Sequence, residues 1–363
     1  MAPYYTMQVY DSAGALQAVV TDYLSLAISK QLNAVDMLTF SIESRSPSFE
    51  YMDMGAIIQV WRQDVELGIP NTLEFSGIIR KRIGVRELTL RYTLQAVGML
   101  ALLADRVIAF KANRGNFTKF TGIPAETILK RLFNTNIGSL ATTANGRIID
   151  GTITGMSTAA TAGTGTSLTL KCSMLPLLKT MQEIAYSGGL AYTLTYTAPA
   201  TWLFTTFVGQ IGTDRTTDIT LSPSTGTVAK ITQTNDKIKD FTTVIVGGSG
   251  TEEAKPFVTY PASGIPTGLS LREIAVDAKN QQNSTTAFLT QFGAKTLSIQ
   301  QRKRIIYSVD VLQTSTMRYG RDYFFGDKIA VNWNNAKINQ FVVGVGLEFK
   351  STGDEVISVK LSS

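Results

Sequence analysis

The stretch YGRDYFFGDKIAVNW, residues 319–333, crowds aromatic rings, two glycines, an arginine and two aspartates ahead of an apolar run. Read alone, Asp322 and Asp327 beside Arg321 and Tyr323 have the makings of a chemical site. A second stretch changes that reading. YMDMGAIIQVW, residues 51–61, has the same frame, a glycine opening an apolar strand that ends in tryptophan. Gly326-Asp327 falls where Gly55-Ala56 falls, so the frame survives replacement of the acid by alanine. A catalytic acid does not account for a frame shared in this way; the start of a strand does. Gly326 can take backbone angles closed to other residues, and Asp327 can bond nearby amides, so the pair is expected to fix a turn. Tyr319, Tyr323 and Phe325 alternate in a way that suits aromatic anchors for the preceding strand.

Each glycine frame is one of four ordered elements. The first set runs FSIES (40–44), MGAIIQVW (54–61), EFSGIIRKR (74–82) and ELTLRYTLQA (87–96). The second runs YSVDV (307–311), FGDKIAVNW (325–333), QFVVGVGLEF (340–349) and EVISVKLSS (355–363). Phe75 with its internal Gly77 is matched to Phe341 with Gly344, and Leu88, Leu90, Tyr92 and Leu94 alternate as on a half-buried strand. The chain is therefore read as mainly β with an α+β insert: two similar small β-barrels flanking a mixed middle region. The expected boundaries are 1–104 for the first barrel, 105–228 for the insert, 229–260 with 298–363 for the second barrel, and 261–297 for a helical excursion.

In the middle, PAETILKRLF (124–133) places Ile128, Leu129, Leu132 and Phe133 on one helical face, with Glu126 complementing the dipole of the first turn. MLPLLKTMQEIAYSGG (174–189) predicts a second helix, with Ser173 as its cap, Pro176 in its first turn and Gly188 or Gly189 at its end. The nearly uncharged DGTITGMSTAATAGTGTS (150–167) suits a loop or flap, and LAYTLTYTAPATWLFTTFVGQ (190–210) a hairpin. KDFTTVIVGGSG (239–250) is assigned to the second barrel. SLREIAVDAKN (270–280) and STTAFLTQFGAKTL (284–297) carry helical periodicity.

Composition removes much enzyme chemistry. The 363 residues, enough for about two to four domains, include no histidine and a single cysteine, Cys172. Ser/Cys–His triads, histidine-bound zinc, thiolate clusters and disulfides within one chain are thereby excluded. Carboxylate chemistry, a Ser–Lys pair or an oxygen-bound metal survive. The acid pairs at hand are Asp322 with Asp327 and Glu50 with Asp53, but five residues around a turn do not show two acids facing across a groove. No catalytic, cofactor or metal residues are assigned, and Cys172 is read as a small core residue.

Only 17% of residues are charged, against roughly 25% in ordinary soluble domains. Much of the surface is therefore expected to be covered by other protein. No apolar run approaches the roughly 18 residues needed to span a bilayer, and the start lacks the pattern of a signal peptide. A soluble protein made in the cytosol is expected. The net charge of +6 permits a nucleic-acid partner without demanding one. Arg80-Lys81-Arg82 and Arg302-Lys303-Arg304 are read as solvated hairpin ends. Arg80, Arg82, Arg302 and Arg304 are candidate DNA contacts if these barrels line a channel.

EFSGIIRKR followed by QAVGMLALLADRVI (95–108), together with YGRDYFFGDKIAV, resembles the hub family of bacteriophage tails, in the order barrel, insert, barrel over nearly the whole chain. This family comprises the baseplate hub of contractile tails and the tail-associated hub of long flexible ones. The resemblance implies tail-tube-like barrels in a homotrimer, whose six barrels continue the sixfold tail tube and reduce its symmetry to three. It implies a distal tail protein or tube ring, the tape-measure protein and a central spike or fibre as partners. It further implies transient passage of DNA, a place in the virion tail tip, assembly in the host cytoplasm and a structural rather than enzymatic role. Some members of the family carry a lysozyme, peptidase or receptor-binding extension. The sequence stops at the second barrel, so such an activity is expected in another subunit. The alternatives are a hexameric distal tail adaptor, which needs one barrel per chain, and a receptor-binding or cell-wall-degrading tail protein.

Overall fold

The computed structural model describes residues 4–86, 89–109, 118–172, 174–236, 238, 240–250, 252–278, 285–300, 305–314, 317–350, 353 and 355–362. Leu88, Ser173, Arg302 and Arg304 lie outside the described residues. The chain divides into two compact units, Met1–Gln233 with Ile306–Ser363, and Thr234–Ile305.

The first unit begins with seven strands, β1 (Tyr4–Tyr10), β2 (Leu16–Val20), β3 (Ser25–Gln31), β4 (Met37–Glu43), β5 (Ile57–Asp64), β6 (Ile69–Arg86) and β7 (Leu90–Gly98). They pair antiparallel in the order β2-β1-β5-β6-β7-β4-β3. The period-two pattern selects the buried face: Leu38, Phe40 and Ile42 of β4 and Leu94 and Ala96 of β7 are all fully buried.

The insert follows: α1 (Ala101–Ala104), β8 (Thr118–Pro124), α2 (Ala125–Asn136), β9 (Met156–Thr158), β10 (Ser167–Cys172), α3 (Leu177–Gly188), β11 (Leu190–Ala198) and β12 (Thr201–Val208). α2 buries Ile128, Leu129, Leu132 and Phe133 against Leu177, Met181 and Ile184 of α3 and the aromatic side of the β11–β12 hairpin. The rings of Phe133 and Phe204 stack at 4.7 Å. α3 ends at Gly189, whose φ of +67° is the left-handed cap that glycine takes at low cost. Cys172 is buried in this core.

Glu126 does more than complement a dipole. Its carboxylate accepts from Lys130 Nζ (2.6 Å), Ala162 N (3.2 Å), Thr164 N (2.8 Å) and Thr164 Oγ1 (2.9 Å), pinning the glycine- and threonine-rich loop onto α2. Burial opposes its ionisation, but these donors outweigh burial and hold its pKa at about 2.

After the insert come β13 (Thr220–Leu221) and β14 (Val228–Asn235). The second unit is a small layer of β15 (Thr243–Gly247), β16 (Phe257–Tyr260) and β17 (Glu273–Asp277) beside α4 (Thr286–Gln300), with Val244, Val246, Ala278, Leu289 and Leu297 in its core. Two expectations change here. Thr243–Gly247 pairs with β16 and β17 rather than with the second set of barrel strands. Residues 273–277 form a strand, not helix, because Ile274 and Val276 pack on this core two residues apart while parallel pairing with β15 satisfies the backbone.

The chain then returns as β18 (Ile305–Val311), β19 (Lys328–Trp333), β20 (Ala336–Lys350) and β21 (Glu355–Ser362). The order β19-β20-β21-β18-β14 repeats β5-β6-β7-β4-β3, while the outer strand differs: two-residue β13 runs parallel to β19 where β1 runs antiparallel to β5. The repeat extends to single hydrogen bonds. Gly55 N donates to Ile79 O (2.9 Å) and Ile79 N to Ala56 O (3.0 Å); Gly326 N donates to Val342 O (3.0 Å) and Val342 N to Asp327 O (2.8 Å). Just beyond, the register slips between Ile79 and Lys81, and likewise between Val342 and Gly344. This alignment corrects the phenylalanine match: Gly77 precedes the shared contact and Gly344 follows it, so Phe75 and Phe341 are not equivalent.

The two frames join where Gly344–Lys350 of β20 pair antiparallel with Ser25–Gln31 of β3, giving a sheet of 13 strands among the described residues. Its pairings form an open, branched path. Among the described residues no pairing closes either frame into a barrel.

Gly55 and Gly326 have φ of +96° and +89°, a region where a side chain costs about 1–2 kcal/mol. A Cβ at Gly55 meets nothing within 4 Å, whereas at Gly326 it lies 2.9 Å from Ile211 Cβ. In urea denaturation Gly326→Ala should therefore lose clearly more stability than Gly55→Ala. A depressed pKa at Glu126 stabilises the fold fully above about pH 4.5, and that contribution is lost as pH falls toward about 2. The acid arm of the wild-type stability profile should accordingly be steeper than that of Glu126→Gln.

Candidate functional site

Residues 319–327 are where the second frame grips the first. Arg62 lies on the Ile58 and Val60 face of β5 and is fully buried. Its guanidinium makes a two-point pair with Glu355 of β21, Nε to Oε1 and Nη2 to Oε2, both 2.7 Å. Nη1 donates to Tyr319 O at 3.1 Å, and the Tyr319 ring centroid lies 5.8 Å from the guanidinium carbon. The Tyr5 hydroxyl of β1 donates to Glu355 Oε1. On the other side, Tyr319 donates from its hydroxyl to Glu74 Oε2 (3.3 Å), which also pairs with Lys30 Nζ (2.5 Å).

The electrostatics fit a lock rather than a reacting centre. Burial, and then the Glu355 carboxylate, lift the Tyr5 phenol well above its ordinary value, so it stays a donor. Burial and then Glu74 do the same for Tyr319. Burial alone would lower Lys30 and Arg62, but the carboxylates facing them win and raise both. Gly320, at φ +84°, admits this arrangement; a Cβ there would lie 2.6 Å from Arg62 Nη1.

The two aspartates of the same stretch are committed to separate structural tasks. Asp327, buried, accepts from Thr213 N (2.7 Å), Phe324 N (2.9 Å) and Arg215 Nε (2.8 Å), fastening the segment before β13 to the start of β19. Asp322 accepts from Arg318 N (2.7 Å) and orients Arg321, whose Nη1 reaches Leu67 O in the turn between β5 and β6 (3.2 Å). Glu50 and Asp53 lie exposed around a short turn after β4. Arg80 pairs with Asp105 at 2.7 Å on the surface, and Arg82 lies over the stacked rings of Phe49 and Tyr92, at 5.6 and 5.7 Å. Gly77 is crowded, with a Cβ position 2.3 Å from Val97 O, and Gly344 sits at the register slip. Among the described residues there is no group of three acids or other ligands placed to hold a metal, and no helix long and apolar enough to cross a membrane.

Sequence reasoning missed Arg62, Glu74, Glu355 and Lys30. Arg62 carried a signal, since alternation along IIQVWRQD puts it on the core face, but nothing local names Glu355 as its partner.

A family model matches residues 6–360, that of the Siphovirus ReqiPepy6 Gp37-like protein. The chain belongs to this family. The fold of the chain also occurs in tail proteins of bacterial prophages. A tail protein from Neisseria meningitidis MC58 superposes with a TM-score of 0.58 at 13% identity, covering 99% of this chain and 96% of that one. The 43 kDa tail protein of prophage MuSo2 from Shewanella oneidensis gives 0.58 at 10% identity over 98% and 97%. Prophage tail protein gp18 from Listeria monocytogenes EGD-e gives 0.53 at 10% over 99% and 94%. No curated protein matches the sequence. The Gp37-like chain thus has the fold of these tail proteins.

Removing one partner of a buried ion pair strands the other. Glu355→Gln should cost about 3–5 kcal/mol in denaturant unfolding, while replacing both partners, Arg62→Met with Glu355→Met, should cost markedly less.

Proposed function

We propose that this chain is the hub that closes the distal end of the tail tube. Three copies form a ring of six barrel-like frames, continuing a sixfold tube while reducing its symmetry to three. The hub then holds the tape-measure protein and gates its release and that of DNA. Its other partners in this reading are the distal tail protein or tube ring above and a central spike or fibre below, with assembly in the host cytoplasm. The observation that carries the reading is the repeated five-strand order, β5-β6-β7-β4-β3 against β19-β20-β21-β18-β14. A hexameric adaptor needs one such frame per chain, so two frames favour three copies over six.

DNA passage is part of this proposal. Arg80 and Arg82 would reach DNA only by leaving Asp105 and the Phe49 and Tyr92 rings.

Subunit counting in purified tails should give three copies per particle; six copies, or absence from particles, would sink the hub. Affinity of the assembled ring for duplex DNA should fall with added salt, and Arg82→Ala should shallow that slope by about one.

A further inference from the structure

One strand of each frame exchanges partners halfway along. β20 pairs with β19 over residues 336–341 and with β21 over 341–349, and the edge that β19 leaves is taken over by β3. β6 does the same: it pairs with β5 over 69–78 and with β7 over 77–86. The edge that β5 leaves, along residues 80–86, has no strand on it among the described residues. The equivalent of β3 is β14, which pairs with β18 and presents its other edge to no strand among the described residues. One chain thus carries both halves of a junction it already makes once.

We propose that β14 of one copy of this chain pairs antiparallel with residues 80–86 of β6 in a second copy, reproducing between chains the β3–β20 junction. This inference rests on the trimer reading above and names the surface that would build it.

Exposure agrees with the pairing. Every residue from Arg80 to Arg86 is exposed, including Ile83 at 40% and Val85 at 51%, and β14 is exposed at Ala229, Lys230, Thr232 and Gln233. A strand open on both faces and along an edge is a template for another strand. The direction is fixed by the repeat, since β3 runs antiparallel to β20. Charge selects the occupant. Arg80, Lys81, Arg82 and Arg86 would face their own counterparts if two β6 edges met, which opposes like-with-like pairing. Between Val228 and Gln233, β14 brings a single charge, Lys230, and otherwise neutral residues. A head-to-tail contact of this kind leaves one donor edge and one acceptor edge on every copy until a ring closes.

Mass photometry of the full chain and non-reducing gels of cysteine variants test the pairing. Wild-type chain should assemble to trimers. Ile83→Cys combined with Thr232→Cys or Gln233→Cys should yield disulfide-linked species up to the trimer, with no such ladder from the single variants. Lys230→Glu, which sets a carboxylate at the Val85–Arg86 end of the basic edge in place of a like charge, should tighten assembly several-fold. Trimers that neither crosslink in either combination nor respond to Lys230→Glu overturn the strand pairing while leaving the trimer reading intact. A chain that stays monomeric at every concentration overturns both.

Discussion

The buried pair between Arg62 and Glu355 constrains everything around it. Two charged groups removed from water persist only when their hydrogen-bonding capacity is met almost completely. Arg62 comes from the fifth strand of the first frame and Glu355 from the last strand of the second, so the pair can be satisfied in one relative placement only. Tyr5, Tyr319 and Gly320 complete the fit, and Lys30 with Glu74 extends it. The backbone junction between β3 and β20 holds the frames side by side. The charge cluster fixes their register across the core, where apolar packing alone would tolerate small slides.

Much of the architecture was legible because strands and amphipathic helices write their burial into their own periodicity. The glycine frames at Gly55 and Gly326 marked the repeat, the face of Ile128, Leu132 and Phe133 marked one helix, and Pro176 with Gly189 bracketed the other. Closed barrels were not legible, because closure depends on which distant edges meet. The helical reading of residues 270–280 failed for a related reason. Its spacing satisfies both periods, and only the parallel neighbour Thr243–Gly247 decides between them. The match of Phe75 to Phe341 followed identity where the hydrogen bonds follow backbone position, at Ile79 and Val342.

The candidate site divides in the same way. Asp322 and Asp327 were visible as unusual, and their turn-forming capacity could be argued locally. Arg62 was visible as a charge on a core face. Glu355, almost three hundred residues away, carries no mark of its role. Long-range charge pairs are written jointly by two segments, and reading either segment alone yields half of a sentence.

The insertion of the second unit has a consequence for how this molecule can vary. The strands that flank it, β14 and β18, run as neighbours, with Gln233 Nε2 donating to Tyr307 OH at 2.8 Å. In the first frame the corresponding strands, β3 and β4, are joined by a short turn whose Asn33 binds Tyr192 of the insert. A segment that leaves and re-enters a sheet through adjacent strands is a cassette. Its replacement changes loop length between points already held together, which adds little closure entropy and breaks no strand pairing. Lineages can therefore exchange what sits on this stem while the sheet, its charge lock and its edges are inherited unchanged.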